Sequence, residues 1–162
     1  MSETRTITLR INGREEEGRF PAHRTLLEAL RHLGHMEVKC GCEKGDCGAC
    51  AVLLDGMAVD SCLTLTWMAA GKEITTVSGL GDLDAPHPLQ KAFADGGAAQ
   101  CGYCIPGIIV AAKAIIDENP EPSEDDIRLG LSGNLCRCTG YTKIFEAIAD
   151  AADEMRAEGG AP

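Results

Sequence analysis

Hydrophobic and polar positions alternate from Thr6 to Ile11, with Ile7, Leu9 and Ile11 on one side and Thr8 and Arg10 on the other. A period of two predicts a half-buried β-strand. Asn12-Gly13 follows, a dipeptide that favours a tight hairpin because both residues tolerate positive φ. The return strand is expected over Glu16 to Phe20, although that stretch is poor in β-formers. The period then changes. Leu26, Leu27, Leu30 and Leu33 follow Thr25-x-x-Glu28, a capping box, and Gly34 can end the helix. Ala51–Leu54 and Met57–Val59 flank Asp55-Gly56, a second hairpin signal, and Glu73 to Val77 reads as one more strand. Strands crossed by one helix predict a small α+β domain over residues 1–78.

The pattern after Gly79-Leu80-Gly81, read as a hinge, is helical throughout. Leu89 to Ala94 predicts a short helix, and Ile105 to Glu118 a longer one stopped by Asn119-Pro120. Ser123-x-x-Asp126 caps a third, with Ile127 and Leu131 on its apolar face. Thr142-x-x-Phe145-Glu146 opens a fourth, running to about Ala157 with Ile144, Ile148 and Ala151 inward. These segments predict an all-helical second domain over residues 79–162, a four-helix bundle.

Composition narrows the function classes. A chain of 162 residues with 44% hydrophobic content can bury a real core. Formal charge is −10. Residues 1–80 hold 9 basic and 11 acidic side chains, and residues 81–162 hold 6 and 14. An acidic surface argues against nucleic acid, whose binding depends on lysine and arginine. No apolar run approaches the roughly 20 residues of a membrane span. No signal peptide or twin-arginine leader is read at the N-terminus, so a cytoplasmic protein is expected, with its thiols on metal.

The nine cysteines carry the chemistry. Cys42-x4-Cys47-x2-Cys50, with Cys62 one hairpin downstream, is the ligand pattern of a plant-type [2Fe–2S] cluster. Gly41, Gly45 and Gly48 are expected to let the loop curl and aim its N–H groups at the sulfurs. Cys101-x2-Cys104 and Cys136-x-Cys138 each precede a predicted helix, whose N-terminus suits an anionic cluster. On spacing alone this second set fits structural zinc as well as iron–sulfur. Cys40 is odd to a set of eight and reads as a free thiol, although its CxC spacing to Cys42 offers an alternative ligand. His23, His32, His35 and His87 lack the spacing of Rieske ligands. Trp67 and Met68 read as apolar core or subunit contacts. No Ser/His/Asp arrangement, metal-water site or phosphate loop is readable, so the catalytic set on this chain is expected to be empty.

The succession GCEKGDCGAC, SCL, QCGYCIPG and GNLCRCTGY resembles the iron–sulfur subunit of the molybdenum hydroxylases, over Ile7 to about Ala152. That family includes xanthine dehydrogenase, aldehyde oxidoreductase, carbon monoxide dehydrogenase and 4-hydroxybenzoyl-CoA reductase. The resemblance implies a β-grasp plant-type ferredoxin domain followed by a helical [2Fe–2S] domain. It implies Cys42, Cys47, Cys50 and Cys62 as ligands of one cluster and Cys101, Cys104, Cys136 and Cys138 as ligands of another. It implies that Gln100 touches a molybdopterin held by a large partner subunit, and that the first cluster faces an FAD-binding subunit. The assembly expected is a heterotrimer, or a dimer of heterotrimers, with electrons passing from molybdenum through both clusters to flavin. Two departures stand out: Cys40, and Ile105 where the family commonly has threonine. Two other classes would explain parts of the pattern, a free-standing ferredoxin-like electron carrier and a zinc-stabilised interaction domain.

Overall fold

The computed structural model describes residues 4–157 and 159. Five strands form one mixed sheet, β1 Thr4–Ile11, β2 Arg14–Pro21, β3 Ala51–Leu54, β4 Met57–Asp60 and β5 Glu73–Thr75. Their order is β2-β1-β5-β3-β4. The two hairpins turn where Asn12-Gly13 and Asp55-Gly56 stand, and all four residues have positive φ, 51° and 75° in the first pair and 50° and 84° in the second. That backbone matches the twist of the flanking strands and sets the Ile11↔Arg14 and Leu54↔Met57 registers. β5 closes the sheet between the hairpins, parallel to β1 and antiparallel to β3.

Helix α1, Leu26–His32, starts at the expected capping box, with Thr25 and Glu28 satisfying each other's backbone N–H. Its buried Leu26, Leu27 and Leu30 meet Leu9, Ile11, Val52, Leu54 and Ile74 from the sheet. Each such side chain removed from water contributes about 1.5–3 kcal/mol.

The return strand is longer than its composition suggests. β2 takes all eight residues because its inward positions are special. Glu16 points at His35, Gly18 leaves room for the Phe20 ring, and Phe20 is buried. The expected strand Glu73–Val77 ends early, at Thr75. Thr76 is fully buried and hydrogen-bonded to Asn12 and Glu37, and residues 77–79 turn in a short 3-10 segment. A second 3-10 segment, Thr66–Ala69, carries Trp67 and Met68, and both side chains are about half exposed.

Four helices follow, α2 Pro88–Asp95, α3 Ile105–Glu118, α4 Glu124–Gly130 and α5 Thr142–Ala157. They surround an apolar core of Leu89, Phe93, Ile108, Ile116, Ile127, Ile144 and Ile148. The connection into them is clasped: the Gln90 amide donates to the carbonyls of Val77 and Gly81 at 2.9 and 3.2 Å. Leu80 packs against the helices. The stretch read as a hinge is thus a pinned corner.

All four residues of β3 are buried. Val52 and Leu54 face α1, whereas Ala51 and Leu53 pack on Val110 of α3. The sheet therefore holds a helix on each face, and α3 is shared between the two halves of the chain. Among the described residues no helix is long and apolar enough to cross a membrane.

Candidate metal centres

The loop between α1 and β3 has no regular structure but is closely determined. Glu43, Gly45 and Gly48 have positive φ, which turns the chain around Cys42 and Cys47. Gly41 serves differently from the expectation: its φ is not in that region, and a Cβ there would lie 2.7 Å from Cys47 Sγ. The backbone N–H groups of Lys44 and Asp46 donate to Cys42 Sγ at 3.4 and 3.3 Å. The Lys44 N–H, first among these, pulls the Cys42 pKa down to about 7, so the loop favours a thiolate there.

Cys62 comes back to this loop on the β3–β4 hairpin. The buried Ser61 beside it donates to the Cys50 carbonyl at 2.7 Å and accepts on its own carbonyl from the Leu27 N–H. Cys50 and Cys62 are both buried, and their thiols touch. Burial first, and then the Cys62 thiol, push Cys50 up to about 12. The thiols of Cys42 and Cys47 form the other contact of this set.

The second set assembles from two loops. Cys104 stands at the N-terminal boundary of α3, its side chain making no capping hydrogen bond, and Gly102, at φ 80°, turns the chain between Cys101 and Cys104. Cys138 Sγ lies 3.5 Å from Cys101 Sγ, and both are exposed. Cys136 contacts Cys104. Burial raises Cys104 to about 12. Burial acts on Cys136 in the same direction, but the Thr139 hydroxyl and N–H outweigh it and bring that thiol to about 7.

The donor set fits a binuclear cluster. The sulfurs come two by two, Cys42 with Cys47 and Cys50 with Cys62, then Cys101 with Cys138 and Cys104 with Cys136. A [2Fe–2S] cluster takes two thiolates on each iron, with sulfide bridging the irons, whereas structural zinc asks for four ligands about one ion.

Cys40 lies outside both sets. Its thiol donates to Glu43 Oε1 at 3.2 Å, which raises its pKa, and its carbonyl accepts from Tyr103 Oη at 2.7 Å. Gln100 is exposed beside Cys101. Of the four histidines, His35 bridges Glu16 and Glu37, and His87 caps α2. Leu63, 64% exposed, lies over Gly45 at the mouth of the first set.

Sequence reasoning missed the residues that join the two sets. Asn134 Nδ2 donates to the Gly48 carbonyl at 3.1 Å, and the Leu135 N–H donates to the Cys47 carbonyl at 3.0 Å. Tyr141 Oη donates to the Asn134 carbonyl at 3.1 Å and accepts from the Cys136 N–H at 2.7 Å. Gly107 on α3 abuts Gly48. The one signal available was that GNLCRCTGY carries more than its cysteines.

Two family models match this chain. One, a 2Fe-2S iron-sulfur cluster binding domain, covers residues 9–75. The other, a [2Fe-2S] binding domain, covers residues 76–149. A nicotinate dehydrogenase subunit of Pseudomonas putida is 48% identical, over 93% of this chain and 97% of that protein. The xanthine dehydrogenase iron-sulfur-binding subunit of Escherichia coli O157:H7 is 46% identical, over 92% and 95%. Among solved structures, quinoline 2-oxidoreductase from Pseudomonas putida superposes with a TM-score of 0.92 at 42% identity, covering 99% of this chain and 100% of that one. Aldehyde oxidoreductase from Desulfovibrio desulfuricans gives 0.90 at 44%, covering 98% of this chain and 18% of that one.

Proposed function

The chain belongs to the iron–sulfur small subunits of the molybdenum hydroxylase family, and from that premise we propose that it conducts electrons from a molybdopterin-bearing large subunit to an FAD-bearing subunit. It is an electron-transfer component of an oxidoreductase, and its two [2Fe-2S] domains follow one another along the chain. We read residues 1–78 as a β-grasp ferredoxin-like domain and residues 79–162 as a four-helix bundle. The parallel β1–β5 pair closing a sheet over α1 supports the first, and the shared core of α2 to α5 supports the second.

The ligands in this reading are Cys42, Cys47, Cys50 and Cys62 for one cluster and Cys101, Cys104, Cys136 and Cys138 for the other. Each cluster, when bound, takes up and gives back one electron at little structural cost. The protein's part is to hold the thiolates, exclude water and present each site to its neighbour. Lys44 and Asp46 donate their N–H groups to Cys42, and the N-terminus of α3 offers partial positive charge at Cys104. Cys101 and Cys138 open the second set to the surface, and Gln100 stands beside them to meet the pterin. In this reading the first set, beside the exposed Leu63, faces the flavin subunit. The assembly in this reading is a heterotrimer or its dimer in the cytoplasm, and substrate is bound and oxidised on the large subunit.

The paired geometry of the eight thiols carries this reading. Anaerobically purified protein should contain about four iron and four acid-labile sulfide per chain and show two electron-paramagnetic signals on partial reduction. Stoichiometric zinc without sulfide would overturn it. Purification of the native complex should bring down a molybdenum protein and a flavoprotein with this chain.

A further inference from the structure

We propose that Thr139 tunes the second thiol set: its hydroxyl donates to the Cys136 sulfur and raises the electron affinity of the cluster held there. The inference rests on the two-cluster reading above. Thr139 Oγ1 lies 3.1 Å from Cys136 Sγ, and the Thr139 N–H donates to the same sulfur at 3.5 Å. While Cys136 is a thiol, either side-chain atom could supply the proton between them. A cysteine bound to iron is a thiolate and has no proton to give. The direction is then decided, and the hydroxyl is the donor.

The loop fixes the hydroxyl in that role. The Tyr141 N–H donates to Thr139 Oγ1 at 3.2 Å, which occupies the oxygen as an acceptor and leaves its hydrogen for the sulfur. The Tyr141 hydroxyl in turn accepts from the Cys136 N–H at 2.7 Å. Cys136, Thr139 and Tyr141 are thus closed into one hydrogen-bonded ring. Gly140 at φ 65° and Tyr141 at φ 70° make the turn that folds it. For a bulky L-residue such as tyrosine that backbone region is unfavourable. It persists where the surroundings over-determine it. Here they include the Phe145 ring stacked on Tyr141, 5.7 Å between centroids.

The effect has a definite sign. One added electron puts more negative charge on the ligand sulfurs, so a donor aimed at Cys136 Sγ holds the reduced state more strongly than the oxidised one. Thr139 and Cys136 are both partly buried, which limits the water that competes for this sulfur. The reductant supplies one electron, the hydroxyl keeps its proton, and no covalent bond forms or breaks. Cys42 in the first set is served differently. Its donors are the backbone N–H groups of Lys44 and Asp46, which do not depend on the side chains there. The contact at Cys136 is made by a side chain, and a substitution can remove it alone.

Thr139→Val in the full, cluster-loaded chain removes the hydroxyl and keeps the branched shape and the backbone N–H. Iron and sulfide should stay at the wild-type amount. Titration with dithionite, followed by electron paramagnetic resonance, gives a midpoint potential for each cluster. One midpoint should fall, by about tenfold in electron affinity or about 59 mV for one electron, while the other stays in place. Thr139→Ser keeps a hydroxyl and should restore the wild-type midpoint, a rescue that a merely space-filling threonine would not show. Thr139→Ala takes the place of Thr139→Val if valine displaces the second cluster. Full iron with both midpoints unchanged would overturn the proposal, as would an equal fall in Thr139→Ser. Loss of the second cluster from both the valine and alanine variants would make Thr139 a residue of assembly and overturn its tuning role. Wild-type protein without iron and sulfide would instead overturn the two-cluster reading beneath it.

Discussion

Alanine at Gly107 sets two effects of opposite sign against each other. The position lies in the first turn of α3, so a methyl group there gains at most about 1 kcal/mol of helix propensity. The same methyl would lie 2.2 Å from the Gly48 carbonyl oxygen, 3.0 Å from Ala49 Cα and 3.1 Å from the Ala49 carbonyl carbon. All three are backbone atoms of the strip between Cys47 and Cys50. Optimal non-bonded separations begin near 3.5 Å, so this strip or the helix must retreat by about 1 Å. Overpacking of that kind costs about 1–3 kcal/mol. If the retreat also breaks the Asn134–Gly48 bond, about 1 kcal/mol more is lost. The clash wins, with a net destabilisation of about 2 kcal/mol. At about 2–4 °C per kcal/mol for a chain of this size, the apparent Tm should fall by roughly 4–8 °C. Calorimetry of cluster-loaded protein at one fixed scan rate measures it. Gly133→Ala is the control, because a Cβ there meets nothing within 4 Å. An equal or higher Tm in Gly107→Ala would mean that the seam between the cluster loop and α3 yields freely, and the packing account would be wrong.

Other outcomes follow from single contacts. Cys40→Ser should leave iron content and both paramagnetic signals intact, since that thiol is turned to Glu43; loss of a cluster would make Cys40 the true ligand in place of Cys42. Gln100→Ala in the assembled enzyme should slow reduction of the clusters by substrate while dithionite still reduces them. Unchanged rapid-reaction kinetics would remove Gln100 from the pterin contact. The capping carboxylates make the fold acid-sensitive. The Thr25 N–H lowers the pKa of Glu28, and the Ser123 hydroxyl lowers that of Asp126. Their contribution is complete above the unfolded carboxylate value of about 4 and is lost as pH falls through the lower folded values. Glu28→Gln combined with Asp126→Asn should flatten the decline of apparent Tm with acid, and an identical slope would refute the caps as its source.

Local rules were enough for most elements. Asn12-Gly13 and Asp55-Gly56 specify their hairpins because positive φ is a property of the dipeptide itself. Thr25-x-x-Glu28 and Ser123-x-x-Asp126 specify helix starts because each box closes within four residues. Cysteine spacing announced the metal chemistry, since loop length limits which thiols can reach one cluster. Tertiary structure decided what depends on distant neighbours. β2 forms out of glutamates because His35 receives Glu16 and Gly18 yields to Phe20. β5 stops at Thr75 because Asn12, sixty-four positions away in sequence, captures Thr76. The hydrogen bond from Leu135 to Cys47, beside Cys136, joins segments that become neighbours only in the folded chain, where α3 packs on β3. Periodicity and spacing report contacts within a few residues. The seam between the two sets is built from backbone carbonyls and glycines, which leave no pattern in a sequence until the chain has folded.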